Sequence, residues 1–190
     1  MRVMSILGSP RDTGTTATVL GWVERALVDA GHEVNHVHVT QHRIEDCQEC
    51  WGCKSGGLEL CAVDDDANDL LREMVTSDLV LFAAPLFCWG FPARMKALVD
   101  RMYCMVDDFY DNPDYVSRLA DKPLALLVTS GGGEEGNAEL LVRAFGNMVR
   151  FLKAEDAGYL HVPFCTGPDS LGEEAEGLAR EFAERLAKGA

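Results

Sequence analysis

An apolar run, Val3-Met4-Ser5-Ile6-Leu7, breaks abruptly into Gly8-Ser9-Pro10-Arg11-Asp12-Thr13-Gly14-Thr15-Thr16. A helical stripe then opens with Val19, Leu20, Val23, Ala26, Leu27 and Ala30. This order gives a buried strand, a turn rich in glycine and hydroxyls, and a helix. The N–H groups at a helix start have no intrahelical acceptor and carry partial positive charge, so the turn is suited to an anion. Ser9, Thr13, Thr15 and Thr16 add hydroxyl donors, and Arg11 offers a charge-assisted bond to a phosphate. The plainer reading is a loop whose Ser and Thr only cap the helix, but four hydroxyls and an arginine exceed what one cap needs.

The residues missing from this turn narrow the ligand. A triphosphate loop needs Gly-Lys-Ser/Thr, and Gly14 is followed by Thr15. A dinucleotide turn needs G-x-G-x-x-G and an acidic residue closing the second strand. Gly8 and Gly14 are wrongly spaced, and that strand ends Val37-His38-Val39-Thr40. A monophosphate held by hydroxyls and amides fits better, and flavin mononucleotide (FMN) is the leading candidate.

Strand and helix patterns alternate along the rest of the chain. Further strands are expected at Glu33–Val39, Asp78–Ala84, Pro123–Ser130 and near Glu155–Val162. Helices are expected after Asp64-Asp65-Asp66 (Leu70, Leu71, Met74, Val75), from Pro92, at Leu140–Leu152 and at Leu171–Leu186. Five such repeats give an α/β fold: an open, doubly wound sheet of five parallel strands with helices on both faces. A phosphate turn after the first strand implies the order 2-1-3-4-5, with the ligand where the order reverses. At 190 residues, a single domain accommodates this pattern.

The third strand runs into Pro85-Leu86-Phe87-Cys88-Trp89-Gly90-Phe91-Pro92, where prolines stiffen the loop and aromatics offer flat surface for a ring system. The fourth runs into Thr129-Ser130-Gly131-Gly132-Gly133. Consecutive glycines let a backbone approach a ligand and present its amides. Amides aimed at the pyrimidine edge of a flavin would stabilise the charge that develops there on reduction. The alternative is that Phe87, Trp89 and Phe91 are ordinary core and the glycines a plain turn.

The net charge of −14 argues against a nucleic-acid or anionic-membrane partner. An anionic ligand must then use local cations: Arg11, Arg94, Lys96 and Arg101. Seven cysteines, four of them in one loop, do not read as a secreted disulfide framework. The N-terminal strand is too short for a signal-peptide core, and the chain is expected to be cytoplasmic.

Taken together, these residues make the chain resemble the NADPH-dependent FMN reductase family of flavodoxin-like proteins, and within it the iron-sulfur flavoprotein branch. The resemblance runs from Gly8-Ser9-Pro10-Arg11 through Thr16, across the cysteine loop and Asp65-Asp66. It continues through Pro85-Leu86-Phe87-Cys88-Trp89-Gly90 and Lys96-Ala97-Leu98-Val99-Asp100-Arg101 to Gly131–Gly133. Thr15 replaces the usual asparagine of that phosphate loop. The resemblance implies one FMN-binding domain over 1–190, with a cysteine-rich loop at about 40–63. It implies FMN phosphate held by Ser9, Arg11, Thr15 and Thr16, with the ring along Pro85, Leu86, Phe87, Trp89 and Gly90. Ser130, Gly131, Gly132 and Gly133 would lie at the ring's polar edge. The implied reaction passes electrons from NADPH or NADH through FMN to a quinone, nitro compound, metal, free flavin or redox protein. Its chemistry is at flavin N5, without a catalytic side chain, commonly in homodimers or homotetramers.

Cys47, Cys50, Cys53 and Cys61 form C-x2-C-x2-C-x7-C. Such tight thiolate spacing suits an iron-sulfur cluster, and the resemblance implies a [4Fe-4S] centre; zinc and reduced thiols are the alternatives. An electron carrier built on that cluster is the second functional reading. Cys88, Cys104 and Cys165 follow apolar patterns and are expected in the core. His36 and His38 share one strand face, as metal ligands or as a solvated or packed face. Asp64 to Asp66 look like cation ligands, but a helix N-cap cluster explains them more simply. Asp107 to Tyr115 is an acidic aromatic insert, either a surface loop or a cover for a neighbouring subunit's flavin.

Overall fold

The computed structural model describes residues 1–55, 59–107 and 112–189. Five parallel strands form the central sheet: β1 (Arg2–Leu7), β2 (Glu33–His38), β3 (Leu79–Pro85), β4 (Pro123–Thr129) and β5 (Glu155–Val162). Their order is β2-β1-β3-β4-β5, as the alternating pattern predicts. The helices are α1 (Thr15–Asp29), α2 (Ala67–Thr76), α3 (Ala93–Arg101), α4 (Glu139–Phe151) and α5 (Glu173–Lys188).

Successive strand residues face opposite sides of a sheet, so the central strands are apolar at every position but divide their side chains between two cores. Val3, Leu7, Leu81, Ala83 and Leu127 join one core with Val19, Val23, Leu27, Ala179 and Phe182 from α1 and α5. Met4, Ile6, Val80, Phe82, Leu126 and Val128 join the other, with Leu71, Met74, Leu98, Leu141 and Phe145 from α2, α3 and α4. Edge strand β2 is more polar, with only Val37 and His38 buried. A register shift between Leu124 and Leu126 of β4, opposite Asp156 to Tyr159 of β5, coincides with Gly158 at φ +89°, a left-handed conformation that glycine adopts without a Cβ clash.

Several elements differ from the sequence reading. Strand β2 stops at His38, and Val39 begins a short 3-10 turn. In the 107–115 insert, Asp108, Phe109, Tyr110 and Asp111 lie outside the described residues. On either side of them, Val106–Asp107 pairs antiparallel with Val116–Ser117. The Tyr115 hydroxyl donates to the Phe151 carbonyl.

Within Asp64 to Asp66 it is Asp65 that caps α2, its Oδ1 accepting the Ala67 N–H at 3.1 Å, while Asp66 makes no side-chain cap bond. Asp65 also receives a two-point ion pair from Arg101, at 2.8 and 2.9 Å, with both side chains fully buried. Burial works to raise the Asp65 carboxyl, but hydrogen bonds from Arg101 and the Glu45 amide outweigh it and hold the group below the usual carboxylate range. Arg101 is therefore not one of the cations open to an anionic ligand. Lys96 is paired with Asp100, and Arg94 donates to the Ile44 carbonyl.

His36 forms no metal set with His38 among the described residues. It lies 2.7 Å from Glu24, which also accepts from the Ser5 hydroxyl. That hydrogen bond raises the imidazole above its ordinary value even though partial burial opposes it. The charged pair is present below about pH 6.5 and is lost as pH rises through the raised midpoint. A proton NMR titration is expected to place the His36 midpoint above about 6.5, and Glu24→Gln to lower it.

Candidate functional site

Because neighbouring strands are parallel, the loops after β1, β3 and β4 all leave one edge of the sheet. Backbone bonds lock them to each other. The Gly8 N–H donates to Ala83 O at 2.7 Å and the Leu86 N–H to Thr129 O at 2.8 Å. The Ser130 N–H donates to Val162 O at 3.1 Å. Thr16 Oγ1 and Thr129 Oγ1 are 2.7 Å apart and buried, which ties the start of α1 to the end of β4.

The phosphate turn has the features an anion needs. Gly14 occupies the N-cap without a side-chain cap bond, and the first turn of α1 carries no acidic residue. The first bond of the helix runs from Thr18 N–H to Gly14 O, so the earlier amides are not used by the helix. Ser9 and Thr15 are buried, while Arg11 and Thr13 are exposed. The Arg11 side chain lies over the helix start, so close that a Cβ at Gly14 would meet Arg11 Nε at 3.3 Å. Behind the turn, buried His38 donates from Nε2 to the Ser9 carbonyl at 2.7 Å. The Ser9 hydroxyl accepts the Arg11 N–H at 3.1 Å and the Thr16 hydroxyl is engaged with Thr129, while Arg11 and Thr13 stand exposed at the turn.

The ring loop is a two-residue reversal. Phe87 and Gly90 exchange N–H···O bonds at 3.1 and 3.0 Å across Cys88 and Trp89, which have φ of +46° and +62°. Both central residues are left-handed, as in a type I′ turn. The turn presents Phe87 and Trp89 to solvent, 48% and 58% exposed, so neither belongs to the core. Cys88 is exposed with them, contrary to the apolar pattern, because the turn lifts it off the sheet. Pro85, Leu86 and Gly90 are half-buried beneath, and Phe91 packs on Phe82.

At the third loop, Gly131 is exposed and Gly132 and Gly133 are half-buried. A Cβ at Gly132 would meet Asn137 Nδ2 at 2.9 Å, so a side chain there would displace Asn137 from its bond to the Gly133 carbonyl. The Ser130 hydroxyl donates to the Gly132 carbonyl at 2.7 Å and lies 2.8 Å from His161 Nε2. Burial pushes His161 below its ordinary value, against Glu134 at 3.8 Å, which acts in the opposite direction. Glu134 also accepts from the Tyr159 hydroxyl at 2.7 Å. No sequence motif links these residues; the neighbouring ends of β4 and β5 bring them together.

The cysteine loop lies against α3. Cys47, Cys50, Cys53 and Cys61 line one cleft of about 390 Å³ together with Glu49, Trp51, Val63, Asp100 and Tyr103. Lys54 Nζ anchors the loop by donating to the Tyr103 carbonyl at 2.8 Å and to that of Val106. Asn68 of α2 receives the Cys61 N–H at 3.1 Å and donates to the Cys61 and Val63 carbonyls. Burial raises the Cys53 thiol, and Cys104, buried beside Cys61 and Cys53, is pushed up to about 12. Among the described residues, no three such side chains already stand as a metal set. Cys104 is core, as the sequence indicates. Cys165 is only half-buried, with its N–H on the Ser130 carbonyl and its thiol against Thr15.

The model of the NADPH-dependent FMN reductases matches residues 1–160. The chain belongs to this family. An iron-sulfur flavoprotein of Archaeoglobus fulgidus is 35% identical over 192 residues, covering 99% of this chain and 80% of the relative. One from Methanosarcina thermophila is 29% identical over 101 residues, covering 53% of this chain and 52% of the relative. Among solved structures, an FMN-dependent NADH-azoreductase from Bacillus anthracis in complex with FMN superposes with a TM-score of 0.76 at 15% identity. The match covers 98% of this chain and 99% of that one. As an FMN reductase family member, the chain is an NAD(P)H-dependent oxidoreductase with FMN as cofactor. The uncapped, acid-free start of α1 beneath Arg11 fits the phosphate of that cofactor. Arg11→Ala is expected to weaken FMN binding by about 1.5–3 kcal/mol, the scale of a charged hydrogen bond. Fluorescence titration with FMN checks it; an unchanged dissociation constant would place Arg11 elsewhere.

Proposed function

We propose that the loops after β1, β3 and β4 would hold FMN, which when bound would supply hydride acceptance at N5 from NADPH or NADH and electron delivery to a small acceptor. Quinones, nitro compounds, metals and free flavin are the acceptor classes. The convergence of the three loops on one sheet edge carries this reading. Ser9, Arg11, Thr13, Thr15 and the turn amides hold the phosphate, with Thr16 bracing the helix start. Pro85, Leu86, Phe87, Trp89 and Gly90 give the ring a dry, flat support. Ser130, through its bond to Gly132, sets the backbone of Gly131, Gly132 and Gly133, whose amides are placed to stabilise negative charge on the reduced ring. Phe87, Trp89 and Phe164, all exposed at this rim, support docking of a second copy as a homodimer or homotetramer. If the reading holds, stopped-flow mixing with NADPH or NADH bleaches the flavin within seconds and turnover follows with a quinone. Bleaching by dithionite alone would favour a carrier of single electrons.

The cysteine loop carries a second centre in this proposal. The sulfur-only donor set of Cys47, Cys50, Cys53 and Cys61 on one cleft fits a [4Fe-4S] cluster, with Lys54 and Arg101 as nearby cations. Such a cluster would supply one-electron transfer between flavin and partner. Cys50→Ala is expected to abolish iron and acid-labile sulfide in anaerobic preparations while FMN stays bound. Wild-type protein with stoichiometric FMN but essentially no iron would leave reduced thiols, or zinc if that metal is found.

A further inference from the structure

The buried Arg101 does more than neutralise Asp65. Its Nη1 donates to the Glu45 carbonyl at 3.2 Å and its Nη2 to the Val63 carbonyl at 3.1 Å. Glu45 stands two residues before Cys47, and Val63 two residues after Cys61. One guanidinium thus grips both ends of the cysteine loop. Asp65 completes the grip by accepting the Glu45 N–H at 2.8 Å. Next to it, Asp66 accepts the Arg43 N–H at 2.7 Å, and its own N–H donates to the Arg43 carbonyl at 3.1 Å.

One donor of the fork is left over. Arg101 Nε is buried and has no hydrogen-bond partner among the described residues. The same guanidinium lies against the Cys61 side chain. A buried N–H without an acceptor is costly, and a thiolate or cluster-bound sulfur at Cys61 would satisfy it. Lysine cannot replace this arrangement, because an ammonium lacks the planar fork that reaches Asp65, both carbonyls and a sulfur at once.

We propose that Arg101 is the positioning residue of the cysteine loop: it closes the loop at its base and turns its free Nε–H to the Cys61 sulfur, keeping the four cysteines on one cleft. The second half of this assignment rests on the cluster reading; the first stands on the loop alone. Hydrogen bonds to cluster sulfurs raise the reduction potential, so Arg101 tunes the centre as well as holding it.

Arg101→Lys in the full-length, FMN-loaded protein, prepared anaerobically, tests both halves. FMN per chain is the folding control and is expected to stay at the wild-type value. Amide hydrogen exchange across residues 44–63 is expected to rise at least tenfold, and iron per FMN to fall at least fivefold. Cluster that survives should have a lower reduction potential than wild type. If Arg101→Lys loses FMN as well, the double variant Arg101→Met/Asp65→Leu replaces the ion pair with apolar groups and keeps the fold free of an orphaned charge. It should bind FMN and still show the fast-exchanging loop. Wild-type exchange in a variant that retains FMN would overturn the proposal. Loss of iron with an unmoved potential in the surviving cluster would overturn the Nε–H assignment. Wild-type protein lacking iron would sink the cluster reading, and the exchange comparison would still decide the loop closure.

Discussion

Strand β1 lies between β2 and β3, and this placement governs the rest of the molecule. The chain winds outward from β1 in two directions, so helices must cover both faces and the central strands are apolar throughout. At the strand ends, the loops after β1 and β3 leave on opposite faces, and a crevice opens between them. The strand order that divides the core in two also places the crevice. Weakening the strand pairing at Gly8–Ala83 or Leu86–Thr129 would disturb both.

The cysteine loop has a different foundation. It carries little apolar burial of its own, with Leu60 its main buried side chain near the base. Polar contacts therefore define its path: Arg101 and Asp65 at the base, Asn68 at Cys61, and Lys54 over the Tyr103 ring at 4.4 Å. Removing one partner of a buried ion pair leaves an uncompensated charge and costs about 3–5 kcal/mol, more than most surface loops contribute. The described ends of the loop are thus held by electrostatics, while the sheet is held by apolar burial.

The alternation of apolar runs and amphipathic stripes made the five strands, their order and the three converging loops legible, because period and turn chemistry are local properties. The glycine-rich turn between β1 and α1 was legible for the same reason. What the sequence hid depends on long-range contacts. Arg101 sits on a helical stripe with Met95, Leu98 and Met102, and a lone arginine on an apolar face was the available sign that it would be buried. Its partner Asp65 is 36 residues away, beyond any local pattern. Cys88 looked like core because its neighbours are aromatic, yet positive φ at two successive residues turns that stretch outward. Ser130, His161 and Glu134 meet only because β4 and β5 end side by side.

The reversal at Cys88 and Trp89 has a consequence for dynamics. Type I′ turns ordinarily use Asn-Gly or Gly-Gly, and residues with a Cβ hold left-handed angles at a cost of about 1–3 kcal/mol each. Two glycines would remove that cost but would let the loop sample many conformations, all of which must be given up when a planar ligand settles against Phe87 and Trp89. Here the cost is carried in the folded chain, and Cys88 and Trp89 leave the backbone fewer alternatives than two glycines would. A planar ligand docking at this edge of the sheet would therefore have less loop disorder to remove than glycines would leave.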